Sequence, residues 1–388
     1  MSKKAQRVYL WGWFGHKNSG DDALLTMMSK AISEVAQSIE LVLQIPKYGQ
    51  LPPLSCAAVS KPIRRWFKGH VQLSQILNIL RTNALVFGGG SNMSDVDSDR
   101  MSALRLRYYI CRIIKIEGIP MIVAALGLGP LVTKEGTKLA TKILNMMDLV
   151  VVRDSTSYQL CKHLSISSPL VQGFDPTVLI PKLYPIQLSC KSANDCNMPV
   201  IGISLSRSPG TCVNDERRQS LKVANLVNAI KHVVTSRPLS IAAIEMCADE
   251  HFRDMDLCRT LVTELRDVCK ATVIPYHPSP IVMMRQLANL TAVIAERLHA
   301  GIYAYALGIP FAVVPYHSKC TAFVKDIGLS EKYLLDPEMP TEQIIQVLES
   351  LMDANTDCKP VLSPEHACEM ASLGQRAVTD KLKALLQI

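Results

Sequence analysis

Aromatic side chains are scarce in this chain, 5% of 388 residues, and no stretch interleaves them with lysine and arginine. That argues against a nucleic-acid surface, which needs clustered cations and rings on which bases stack. Long hydrophobic runs are missing too. The longest, residues 121–132, is too short for a bilayer and is broken by Gly127, Gly129 and Pro130, so no transmembrane segment is expected. Residues 8–14 are interrupted by Gly12 and lead into polar residues, which reads as a first strand and not as a signal peptide. The expected location is cytoplasmic. Among the 12 cysteines no pair has the Cys-x-x-Cys spacing, and the closest two, Cys190 and Cys196, have no histidine cluster beside them. Neither a zinc site nor a disulfide framework fits, which leaves free thiols in a reducing compartment and no metal.

What the chain does have is hydrophobic content of 48% against 20% charged, enough for a large core. Lys+Arg number 42 against Asp+Glu 34, a net charge of +8 spread along the sequence. Such an excess suits an anionic ligand or a membrane-surface substrate. The length allows two domains.

Short apolar runs at residues 7–11, 41–45, 84–87, 121–125 and 149–152 alternate with amphipathic stretches at 22–36, 100–116 and 133–147. This is the rhythm of βα units on a parallel sheet covered on both faces. The polar, proline-containing stretch 181–199 breaks it and reads as a linker. A second series follows at 200–205, 239–244, 272–274, 290–295 and 311–314. The expected architecture is therefore α/β, with two Rossmann-like parallel-sheet domains facing a cleft, residues 1–185 and 186–388. The final helix, 364–386, is expected to return to the first domain.

Ligands bind outside the carboxyl ends of such strands, so strand-end residues are the candidates. The run at 290–295 is followed by Arg297, Leu298 and His299 at the start of a helix that Gly308 would stop. Strand end and helix N-terminus both favour anions, so Arg297 and His299 suggest a site for an acidic small molecule. A guanidinium locked in an internal carboxylate pair, remote from any opening between the two domains, would overturn that reading. Arg207, after the run at 200–205, occupies a similar place, with Lys319 and His277 as weaker candidates.

In the first half, Asn18, Gly20, Asp21 and Asp22 open a helix after the first strand. The spacing of Gly12, Gly15 and Gly20 matches neither a dinucleotide fingerprint nor a P-loop. Asp21 or Asp22 reads most simply as an N-cap, with an acceptor hydroxyl as the functional alternative. Gly88, Gly89 and Gly90 follow a strand and are expected to line the cleft floor, since glycines cost backbone entropy without adding a side chain to pack. Arg153 is either paired with Asp154 or a ligand cation.

The ordered set of residues 12–25, Gly88–Gly89–Gly90, Gly127-x-Gly129-Pro130, Val152-Arg153-Asp154, Asp175-Pro176, Arg297-Leu298-His299 and Pro315-Tyr316-x-x-Lys319 resembles the polysaccharide pyruvyl transferases. That resemblance implies a GT-B-like fold and transfer of the enolpyruvyl group of phosphoenolpyruvate onto saccharide hydroxyls, giving a ketal and phosphate. Such a reaction belongs to cell-surface or exopolysaccharide biosynthesis. It needs no cofactor, phosphoenolpyruvate being the donor substrate. By the same resemblance Arg297, Leu298, His299, Arg207 and Lys319 would hold the donor in the second domain. Ser206 is inserted ahead of Arg207, where the family's arginine often follows a Ser-Leu pair directly. His299 would be the general acid/base, because only histidine changes charge near neutrality without heavy tuning. Asn18, Gly20, Asp21, Asp22, the three glycines and Arg153 would face the acceptor, whose lipid-linked form would place the protein peripherally on the cytoplasmic membrane. The alternatives are a GT-B glycosyltransferase using a nucleotide sugar and a non-catalytic binding protein of the same fold.

Overall fold

Strands buried on both faces must be apolar at successive positions, and the central strands here are. In the computed structural model, which describes residues 6–36, 38–62, 69–186, 198–207, 213–353 and 356–388, every residue of Met121–Leu128 and Leu149–Val152 is buried. The first sheet has seven strands: β1 Arg7–Trp11, β2 Glu40–Ile45, β3 Ala58–Pro62, β4 Ala84–Met93, β5 Met121–Leu128, β6 Leu149–Val152 and β7 Leu170–Gln172. Their order is β3-β2-β1-β4-β5-β6-β7, all parallel. The helices between them are α1 Ser19–Ser33, α2 His70–Ile79, α3 Ser98–Ile116, α4 Lys134–Leu144 and α5 Ser155–His163. Asp97, Thr133 and Asp154 cap α3, α4 and α5 by accepting from the backbone N–H of Arg100, Gly136 and Ser157.

The short helix α6, Ile180–Leu183, leads to a second sheet of β8 Val200–Ser204, β9 Ser240–Ile244, β10 Ala271–Ile274, β11 Ala292–Ala295 and β12 Phe311–Val313. Its order is β10-β9-β8-β11-β12, again all parallel. The remaining helices are α7 Val213–Ser236, α8 Met255–Leu265, α9 Pro280–Leu287, α10 Leu298–Ala306, α11 Ser318–Ile327, α12 Thr341–Met352 and α13 Pro364–Leu386. Among the described residues no helix is long and apolar enough to cross a membrane.

By contacts the chain divides into residues 1–16, 21–176 and 367–388 on one side and residues 17–20 and 177–366 on the other. The break falls between Pro176 and Thr177, earlier than the boundary at 185, and residues 187–197 of the linker stretch lie outside the described residues. So do Cys190 and Cys196; the described cysteines are free thiols. The C-terminal segment from Ala367 belongs to the first unit, where Val378, Leu382 and Leu386 join the cluster of Leu10, Leu25, Ile32 and Val151.

Three details differ from the sequence reading. The edge strands β3 and β7 carry little apolar signal: β3 contains Ser60, Lys61 and Pro62, and β7 has three residues. Gly88, Gly89 and Gly90 are not a turn after the strand but part of β4 itself. A Cβ on Gly88 would lie 2.8 Å from Met28 Sδ and 2.9 Å from Phe14 Cζ, so this glycine lets α1 and Phe14 close on the sheet. Gly90, at φ +80, sits where the register of β4 on β5 shifts.

Candidate functional site

In the second sheet the strand order reverses between β8 and β11, which grow outward in opposite directions. The carboxyl ends of strands flanking such a reversal form the crevice where open α/β sheets take ligands. Ser204 of β8 pairs in register with Ala295 of β11, so the segments that follow, Ser206–Arg207 and Glu296–Arg297–Leu298–His299, start side by side. Lys319 follows β12, the next strand over, and its Nζ lies 5.1 Å from the Tyr316 ring centroid. Local sequence explains the placement. Four fully buried residues (Ala292 to Ala295) make the strand, and Arg297, in extended conformation, is the N-cap residue of α10.

Arg297 is not an uncommitted cation. Its Nε and Nη2 both engage Asp254, at 3.1 Å to Oδ2 and 2.6 Å to Oδ1, and Nη2 also donates to the Phe252 carbonyl at 3.0 Å. Asp254 is fully buried and the Arg297 side chain is 14% exposed. This is the internal carboxylate pair that counts against Arg297 as a free anion ligand: Asp254, in the loop after β9, neutralises the guanidinium and fixes its plane. A guanidinium has five N–H donors. Nε and Nη2 use three, and the two on Nη1 have no partner among the described residues.

Burial pushes the Asp254 carboxyl up to about 6, against the pull of Arg297 and of the Cys247 backbone N–H. For Arg297, burial works against the charge and Asp254 outweighs it, so the guanidinium stays cationic. The pair is ionic at neutral pH.

The neighbouring Glu296 is fully buried and committed. It accepts from the Ser206 backbone N–H at 2.7 Å and from Lys222 Nζ at 2.8 Å. This ties α7 and the end of β8 to the start of α10. Arg207 is half exposed and stands 3.8 Å from Asp256 across α8's first turn, a surface separation that leaves the guanidinium in water.

His299 lies in the first turn of α10. Residues 17–20 pack here, within the second unit: the Ser19 N–H donates to the Met246 carbonyl at 2.9 Å, Ala248 N–H to the Lys17 carbonyl at 2.8 Å, and Tyr303 hydroxyl to the Ser19 carbonyl at 2.8 Å. A Cβ on Gly20 would fall 2.0 Å from His299 Nδ1, so only glycine lets the chain pass over the imidazole. Gly20, expected on the first domain, therefore stands beside His299, while Asn18 bridges to Cys247 in the second unit.

A family model for polysaccharide pyruvyl transferase matches residues 18–318. The chain belongs to that family. No curated protein matches it in sequence. Among solved structures it is similar to Anabaena Alr3699/HepE in complex with UDP and glucose, at TM-score 0.55 and 9% identity over 98% of this chain and 100% of that one. The UDP-GlcNAc 2-epimerase of Neisseria meningitidis bound to UDP-GlcNAc scores 0.55 at 12% identity, covering 97% and 99%. Sucrose-phosphate synthase from Thermosynechococcus elongatus scores 0.56 at 9%, covering 98% of each chain. These likenesses establish the fold, two parallel-sheet α/β domains of GT-B type.

Other sequence candidates fall elsewhere. Arg153 is buried and pairs with Asp175 at 2.7 Å, while Asp154 caps α5. That ion pair is internal to the first unit and gives no ligand cation. Asp21 and Asp22 are not N-caps. The helix begins at Ser19, Asn18 Oδ1 accepts from the Gly20 N–H at 3.1 Å, and the two aspartates lie in the first turn, where they favour the helix dipole. His277 is exposed and accepts from Ser279 N–H in its own turn at 3.0 Å. Asp254 and Lys222 escaped the sequence reading because their partners are distant in the chain and nothing local marks them.

Proposed function

We propose that this protein transfers the enolpyruvyl group of phosphoenolpyruvate to hydroxyls of a saccharide. The observation that carries the reading is the grouping of Arg297, Leu298 and His299 at the strand-order reversal of the second sheet, in a chain of the pyruvyl transferase family. Phosphoenolpyruvate would meet the Nη1 edge of Arg297 and the N-terminus of α10, with Arg207 and Lys319 adding charge from the flanking strand ends. A charge-assisted hydrogen bond of this kind contributes about 1.5–3 kcal/mol.

In the reaction the vinyl CH2 takes a proton and becomes the methyl group, while C2 gains the oxygen of one sugar hydroxyl. A second hydroxyl then displaces the phosphate from C2, closing the ketal. His299 is the group suited to supply and recover protons, a role worth about 10²–10⁴-fold in rate. Asp21 or Asp22 would orient or help deprotonate the acceptor, which is a saccharide, free or lipid-linked. The test is mass spectrometry of candidate saccharides incubated with protein and phosphoenolpyruvate, read together with phosphate release. One added pyruvyl group, lost in His299→Gln, supports the reading; full turnover in that variant removes His299 from the chemistry.

The solved relatives favour a second reading, a nucleotide-sugar enzyme, since HepE is described with UDP and glucose. Against it, Glu296, the carboxylate nearest α10, is spent on Lys222 and the Ser206 N–H. Thermal stabilisation by UDP-sugars but not by phosphoenolpyruvate would establish that alternative.

A further inference from the structure

The helices α2, α3 and α4 lie side by side in the first unit, α3 packing on both of the others. α3 buries Leu104, Ile110, Cys111 and Ile114 against the sheet, as its 3.6-residue period requires. Its opposite face should be polar, and here it is mixed, with Ser102, Arg105 and Arg112 exposed beside large apolar side chains. Tyr109 is 60% exposed and Ile116 77%, with Ile113 exposed between them, one turn apart on the same stripe. On α2, Leu73 and Leu77 are exposed at the same i,i+4 spacing. Large apolar side chains exposed on two adjacent helices, α2 and α3, mark a contact surface.

Charge identifies the partner. α4 presents Lys134, Lys138 and Lys142 along its exposed edge, and α3 presents Arg112 and Lys115 among its apolar residues. Lys142 Nζ and the Arg112 guanidinium both lie over the Tyr108 ring, 5.5 and 5.9 Å from its centroid. The acids on and capping these two helices are Asp97, paired with Arg100, Asp99 in the first turn of α3, Glu117 at its C-cap, and Glu135, which is bound by Arg105 at 2.7 Å through both oxygens. The face is therefore apolar in its middle and positive along its side. A protein interface of ordinary kind depletes lysine. An anionic bilayer wants both features, apolar side chains dipping among the headgroups and long cations reaching the phosphates.

We propose that the outer face of α2, α3 and α4 docks the protein on an anionic lipid surface. The proposal stands independently of the donor and of the reaction. The experiment is co-sedimentation of the full chain with phosphatidylcholine vesicles, with and without phosphatidylglycerol, at low and high salt. Wild type should pellet with the anionic vesicles and be released by salt. Lys138→Glu/Lys142→Glu should weaken binding by well over tenfold, each lysine being worth roughly fivefold near such a surface. Ile113→Ser/Ile116→Ser should weaken it as well, and because all four side chains face water, circular dichroism should be unchanged. Equal pelleting with neutral vesicles, or binding indifferent to both double variants, overturns the proposal. So does a concentration-dependent dimer in analytical ultracentrifugation that Ile113→Ser/Ile116→Ser dissolves, since the face would then belong to a second copy of the chain.

Discussion

Asp254 meets Arg297 with no solvent exposure of its own, and that pairing sets what each group can do. Removing the charge in Asp254→Asn frees the guanidinium plane; with phosphoenolpyruvate as the proposed donor, its Michaelis constant should rise by about tenfold, the equivalent of one charge-assisted hydrogen bond, with a smaller change in kcat. The same variant has a signature in stability. The folded-state pKa of Asp254, about 6, lies above its ordinary value of 3.8, so the native state holds the proton more tightly than the unfolded chain. That contribution is present below the ordinary carboxylate pKa and is lost as pH rises through about 6. Thermal melts should therefore show wild type losing stability relative to Asp254→Asn between about pH 4 and 6, and parallel profiles would refute the assignment. Arg153 illustrates a different case, a pair in which both side chains are almost fully buried. Arg153→Ala strands a buried carboxylate at Asp175 and should cost about 3–5 kcal/mol in denaturant unfolding.

Glycines decide how two elements approach their neighbours. β4 keeps its pairing through Gly88 and Gly90, and α1 lies close because Gly88 has no side chain. Gly88→Ala should destabilise the protein by about 1–3 kcal/mol, measurable by urea titration, because Met28 and Phe14 must both give way. Gly20→Ala is expected to behave differently. Its Cβ would displace the His299 imidazole, so phosphate release should collapse while the melting temperature moves little. A large loss of stability with normal turnover in the surviving protein would mean that the imbalance falls on the fold and not on the histidine.

The helix α13 reaches from the second unit into the first, with the change of unit at Ala367. Within the first unit Val378, Leu382 and Leu386 complete an apolar cluster that also contains Leu25, Ile32 and Leu149. Truncation after His366 would open that cluster to water at roughly 1.5–3 kcal/mol for each large side chain uncovered. The expected result is a first unit that no longer folds cooperatively, visible as rapid proteolysis of residues 21–176 while the second unit resists.

Most of the strands and several helices could be read from the amino-acid order, because two-sided burial leaves unbroken apolar runs and one-sided burial leaves a 3.6-residue period. The parallel, two-sheet class followed from their alternation. Edge strands β3 and β7 did not, since pairing on one side asks little of their side chains. Nor did the partners of Arg297 and Arg153, the packing role of Gly88, or the placement of residues 17–20 beside His299. Each joins segments far apart in the chain, 43 residues for Arg297 and Asp254, and 284 for Ser19 and Tyr303. Periodicity reports only which face of an element is buried. Strand order and loop docking choose the neighbour, and those contacts exist only once the chain has closed on itself.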